Sequence, residues 1–172
     1  MAIFAEVLRT HIDYSAWASQ LLVEAASRLS PEELTRDFAT ADRSVRDTLV
    51  HIYACDRLWL ARLQGGPHPG YVTPADRSLA VLQNDWPALH GRWKDWARGI
   101  TAESAEALVS YADMSGNPWS QPLWKLVFHV VNHATHHRGQ VSGFLRAMGH
   151  VPPALDLVLY YREREVTPPG PR

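Results

Sequence analysis

Between residues 120 and 148 an apolar stripe recurs at helical spacing with histidines along its edge, and this segment constrains the fold more than any other. Leu123, Leu126, Val130, Val141, Phe144 and Met148 share one face when residues are placed at about 100° steps. A stripe of that length has to be covered by other helices. Within it, "HVVNHATHHRGQV" (129–141) sets four of the chain's nine histidines into nine positions. His133 and His137 fall in the stripe or at its edge, His129 lies on the flank, and His136 points to solvent. Ser120 is expected to cap this helix and Pro122 to sit in its first turn. Gly149 ends it, and "VPP" prevents its continuation.

The rest of the chain supplies the partners. Ile3, Val7, Leu8, Ile12, Ala16, Leu21, Leu22, Ala25 and Leu29 predict a long first helix over residues 2–29. Ser30, Pro31 and Glu33 form a start signal for one short turn, followed by an irregular stretch through Asp42. Ser44 with Asp47 starts a second long helix through Val45, Leu49, Ile52, Trp59 and Leu63, which "GGPHPG" stops. A third is expected from Ser78 to about Arg98, with a kink or break at Pro87. "TAESAEAL" (101–108) offers one or two helical turns, and "LVSYADMSGNPW" (108–119) is the one hairpin-like region. Asp156 to Glu165 predicts a last short helix, and 166–172 a flexible tail. Four substantial helices, with 46% hydrophobic and 20% charged residues, predict an all-α fold. The natural architecture is a four-helix bundle in a single domain over residues 1–165.

Several function classes are disfavoured. The formal net charge is −1 and no basic tract occurs, so the electrostatic footprint of a nucleic-acid binder is missing. No apolar run approaches the roughly 20 residues that span a bilayer. Glu6, Arg9, His11 and Asp13 interrupt the N-terminal segment and argue against a secretory signal. A single cysteine, Cys55, makes no internal disulfide, and a cytoplasmic location is expected.

The histidine spacing points to metal chemistry. His133 and His137 are four apart, which stacks them on consecutive turns about 6 Å apart at Cβ. Both imidazoles can then reach one ion. Ala134 stands where a zinc-protease helix would carry glutamate, so that assignment is disfavoured. Two histidines rarely hold a divalent metal tightly. His51, early in the second helix, is the best candidate for a third ligand. Cys55, one turn on, is a softer rival, and His11 in the first helix is another. A histidine that holds no metal needs a buried polar partner, which is the expectation for His90 and His150 and, outside a site, for His11.

Four stretches carry a family resemblance. "LRTHIDYSAWASQLL", "SVRDTLVHIYACDRLWLARLQG", "HVVNHATHHRGQVSGFLRAMG" and "PPALDLVLYYRE" together resemble the DinB/YfiT-like family of metalloenzymes across almost the whole chain; "NHATHHRGQ" is the specific part. The resemblance implies an up-down-down-up four-helix bundle and a three-histidine metal site, with ligands falling on His51, His133 and His137. It implies zinc or nickel as the metal, water completing the coordination, and a homodimer. It also implies an activity of the kind found in the family's superfamily, such as S-transfer from a low-molecular-weight thiol. Where the family often has glutamate after the second-helix histidine, this chain has Asp56, expected to be solvated or paired with an arginine.

An ion held by three neutral imidazoles can activate either a water or a thiol, so both a hydrolase and a thiol S-transferase acting on small molecules fit. The alternatives are a non-catalytic metal-binding stress-response protein and a bundle that only dimerises. Arg138 is expected to anchor neighbouring structure and Gly139 to permit close helix approach. His129 and His136 are expected to support the ligands or lie on the surface. Trp17, Trp59 and Trp124 are expected to pack the core or wall an apolar pocket, and Cys55 to be an inert buried thiol.

Overall fold

The computed structural model describes residues 2–70 and 72–165, which the chain folds mostly as helix. In chain order they form α1 (Ala2–Ala26), α2 (Pro31–Thr35), α3 (Val45–Leu63), α4 (Leu79–Ala97) and α5 (Ala102–Glu106). A hairpin of β1 (Leu108–Ala112) and β2 (Pro118–Pro122) follows, then α6 (Leu123–Ala147) and α7 (Leu157–Arg164). The tail expected at 166–172 lies outside the described residues. No helix among them is long and apolar enough to cross a membrane.

Local chemistry sets most boundaries. The Ser30 hydroxyl accepts from the Glu33 amide while the Glu33 carboxylate accepts from the Ser30 amide, a reciprocal cap on α2. Ser44 accepts from the Asp47 amide at 3.1 Å and so starts α3. α4 runs through Pro87 without the expected break. Pro87 lies on the solvent side, where water can take the carbonyl that the missing N–H leaves free.

The start of α6 differs from expectation. Ser120 does not cap it; it pairs with Ser110 in the hairpin register. Pro122 is extended rather than helical, and the Leu123 amide donates to the Ala107 carbonyl at 3.0 Å. The hairpin's own hydrogen bonds therefore claim the residues that looked like a cap. Its turn is held by Asp113, which accepts from the Ser115 and Asn117 amides and from the Trp119 indole. Those bonds, led by the one from Trp119, pull its carboxyl down to about 2.

The four long helices close a ring, α1 packing on α4 and α6, and α3 on the same two. Phe4 meets Trp124 and His11 meets Phe128, so α1 and α6 run in the same sense. His51 meets His133 while Trp59 meets His129, so α3 runs against α6. Tyr53 meets Trp86 and Asp56 meets Trp93, so α3 and α4 run together. One contiguous apolar cluster fills the ring, from Leu8 and Leu22 through Leu49, Ile52 and Leu60 to Trp86, Leu126 and Leu145. A satellite cluster of Tyr14, Ala18, Val131 and Tyr160 seats α7. Antiparallel α3 and α6 set His51 opposite His133 and His137.

Candidate metal centre

Helix geometry brings the expected residues together. On α6, His133 and His137 face α3 and are half-buried, while His129 and His136 are exposed. His133 Nε2 lies 3.1 Å from His51 Nε2 and 3.2 Å from His137 Nε2. The His51 and His137 ring centroids are 4.5 Å apart. Cys55, one turn beyond His51, places Sγ 3.7 Å from His51 Nε2. His11 is elsewhere: its Nδ1 is 2.8 Å from the Val7 carbonyl and its ring packs on Phe128.

A carboxylate that the sequence did not single out completes the arrangement. Asp42 Oδ2 is 3.3 Å from His137 Nδ1, and Asp42 Oδ1 is 3.8 Å from His51 Nδ1. His137 Nδ1 is also 2.7 Å from Gln140 Oε1. Both neighbours of His137 Nδ1 are acceptors, which assigns the proton to Nδ1 and leaves a lone pair on Nε2. Asp42 sits in the 36–44 loop, whose Ala39 and Arg43 have φ of 57° and 62°. Non-glycine residues rarely adopt that conformation, and it tends to gather at functional sites. The loop is held by the Phe38 amide donating to the Arg43 carbonyl and by Phe38 stacking on Phe144 at 4.3 Å.

Burial favours the neutral rings of His133 and His137. Burial, reinforced by the neighbouring histidines, pushes His133 down to about 4. Burial also lowers His137, against the opposing hydrogen bond to Gln140. The Cys55 thiol is pushed up to about 12, first by burial and then by Asp56 and Asp42. For the metal-free protein this fixes a pH response. The unfolded chain takes up a proton on His133 near the ordinary 6.5, the folded chain only near 4. Stability from this group is complete above the ordinary value and falls as pH drops between the two. The thermal midpoint of chelator-treated protein is expected to be lower at pH 4.5 than at pH 7; a midpoint unchanged across that interval would contradict the assignment.

The donor set fits a divalent cation. His133 Nε2 faces two ring nitrogens but carries one proton or one lone pair, so hydrogen bonding alone cannot satisfy both approaches. An ion can. Two imidazole nitrogens sharing a tetrahedral zinc at its usual bond length stand roughly 3.3 Å apart, close to the separations of 3.1 and 3.2 Å found here. Two overlapping donor groups each lie within 4.8 Å: His51, Cys55 and His133, and Asp42, His51 and His137.

A family model described as the DinB family matches residues 4–168. The chain belongs to the DinB family. It is similar to Protein DinB of Bacillus subtilis (strain 168), with 22% identity over 156 residues that cover 86% of this chain and 90% of that protein.

Other expectations for this DinB-family chain are corrected by the structure. Asp56 is neither solvated nor paired with arginine. It is 5% exposed, accepts from the Trp86 indole at 2.9 Å, and lies 3.6 Å from His90 Nε2. Gly139 does not seat a neighbouring helix, because a Cβ there would meet open space. The three tryptophans instead keep to the expected core packing and form no common wall: Trp17 packs on Tyr160, Trp124 on Phe4, and Trp59 on His129 and Tyr111. His150 pairs with Glu33 at 2.8 Å near the surface rather than in the core.

Asp42 gives the site a measurable dependence. A carboxylate on the far nitrogen of a ligating histidine fixes its tautomer and ring orientation. Asp42→Ala is expected to weaken metal affinity about 10- to 100-fold without removing a ligand. Competition against a chelator of known affinity measures this, and an unchanged constant would remove Asp42 from the site.

Proposed function

We propose that this DinB-family protein binds one divalent metal ion, zinc or nickel, through Nε2 of His51, His133 and His137, and uses it on a small-molecule substrate. The reaction class is thiol S-transfer or hydrolysis. The observation that carries the reading is the double approach of ring nitrogens on His133 Nε2, which a shared cation resolves. The senses of α1, α3, α4 and α6 support an up-down-down-up four-helix bundle as the frame, with the site between α3 and α6.

A divalent ion in such a site supplies a Lewis acid that makes a water or a thiol nucleophilic near neutral pH. The chain's own residues do the remaining work. Asp42 and Gln140 hold His137 by Nδ1, so its Nε2 keeps a free lone pair. A cleft of about 250 Å³ opens beside His51 and Asp42 and is also lined by Val50, Ala54, Val72 and Arg77. Its size suits a small molecule and its aliphatic wall an apolar portion, while Arg77 is paired with Asp47 across the same cleft at 3.4 Å.

Elemental analysis of protein purified without a polyhistidine tag tests the metal, since nickel columns load such sites artificially. About one equivalent of zinc or nickel per chain is expected. Turnover of electrophiles with glutathione, bacillithiol or mycothiol then tests the activity. Metal without turnover of electrophiles or of hydrolysable substrates would favour a binding protein over an enzyme.

A further inference from the structure

We propose that Cys55 Sγ is a fourth protein donor to the metal, so that the resting site is a closed set of three imidazoles and one thiolate. This rests on the three-histidine reading above and goes beyond it. Helix geometry makes it possible. His51 and Cys55 are four apart on α3, as His133 and His137 are on α6, so each helix offers one face with two donors on consecutive turns. The helices run in opposite senses, which sets Cys55 beside His133 and His51 beside both α6 histidines.

The distances among Cys55, His51 and His133 agree with one shared ion, and His137 joins them through His133 Nε2 at 3.2 Å. A nitrogen and a sulfur bound to the same tetrahedral zinc, at their usual bond lengths, stand roughly 3.5–3.6 Å apart. Cys55 Sγ lies 3.7 Å from His51 Nε2, and the donor atoms of His51, Cys55 and His133 are all within 4.8 Å of one another. Among the described residues, the polar contact of Sγ is this histidine. Asp42, the other group near the ligands, approaches His51 and His137 from their Nδ1 side and supports the rings instead.

The donor set has consequences for selectivity and state. Thiolate with imidazole favours zinc, or cobalt in its place, over magnesium and manganese. Four protein donors would fill a tetrahedral shell at rest, so activating a water or a thiol as proposed above would require Cys55 to leave the ion or the shell to expand to five donors. Ligation takes one proton from Cys55 to solvent, and no electron is transferred.

Cobalt(II) titration of the full-length, tag-free, chelator-stripped protein under reducing conditions tests this. The chain has a single cysteine, so a thiolate-to-cobalt charge-transfer band in the near ultraviolet can have only one source. Wild type is expected to show visible d–d bands that saturate at one equivalent, together with that charge-transfer band. Cys55→Ser should keep the d–d bands and lose the charge-transfer band entirely. Cys55→Ala serves in its place if the serine variant loses helicity. Saturating d–d bands without charge transfer in wild type would overturn the cysteine ligand and leave the three histidines standing. Absence of cobalt uptake would overturn both.

Discussion

Replacing His133 with alanine is expected to abolish stoichiometric metal uptake and leave the helices intact. Of the three candidate ligands, His133 is the one whose Nε2 approaches both others, at 3.1 and 3.2 Å. Without it, His51 and His137 are left on different helices with no ring between them, and two imidazoles hold a divalent ion poorly. The loss should be near complete, in contrast to the partial weakening expected for Asp42→Ala. The fold should survive, because His133 is only half-buried, at the edge of the core. Circular dichroism and elemental analysis on the same sample check both halves. The variant should even blunt the acid sensitivity of the metal-free protein, since it removes the histidine that burial pushes down to about 4. Retained stoichiometric metal would mean that other donors, Asp42 or Cys55, form the site without it.

The long helices and the histidine pair were legible because periodicity reports one face of one helix. Leu123, Leu126 and Val130 together with Val141 and Phe144 fix the inner face of α6, and His133 and His137 follow from it. Asp42 was not legible. Its position depends on positive φ at two non-glycine residues, Ala39 and Arg43, and on Phe38 stacking against Phe144 more than a hundred residues away. Asp56 is a different case, because a signal existed. It falls four residues after Ile52 and four before Leu60, both fully buried, so periodicity alone puts it inside. The tryptophan stripe of α4 required acceptors for its indole N–H groups. The Asp56 carboxylate takes the one from Trp86, and its backbone carbonyl the one from Trp93 at 3.1 Å. At Asp56 the residue's charge and its helical position point opposite ways, and position prevails. The start of α6 failed for a third reason: Ser120 carries a good cap signature, and a non-local strand pairing overrode it.

Arg138 anchors α1 to α6, in line with its expected structural role, and gives the largest expected effect on stability. It follows His137 directly, yet it points the other way and is 1% exposed. Its guanidinium donates to the Ser15 hydroxyl at 2.9 Å and the Ser15 carbonyl at 3.3 Å. It also reaches the Ser19 hydroxyl at 3.3 Å and the Thr135 hydroxyl at 2.8 Å. The Tyr14 ring lies 5.4 Å away. Among the described residues no carboxylate approaches it within 4.0 Å, and burial holds its pKa below the usual arginine value. A buried cation whose two terminal nitrogens donate to neutral acceptors, while Nε finds no partner among the described residues, contributes through packing and hydrogen bonds, against its own cost of desolvation. Arg138→Ala removes the packing and leaves a cavity between α1 and α6, and should cost about 3 kcal/mol. For a chain of this length that corresponds to a fall of roughly 6–12 °C in the thermal midpoint. Arg138→Met keeps most of the bulk and removes the charge, and Ser15 and Ser19 can turn their hydroxyls to carbonyls of their own helix. That variant is expected within about 1 kcal/mol of wild type, because well-packed apolar replacements of buried charges are often neutral or stabilising. Urea unfolding of all three proteins, stripped of metal so that ligand binding does not contribute, gives the comparison. Equal losses for Ala and Met would show that the guanidinium's hydrogen bonds, rather than its volume, fasten α1 to α6.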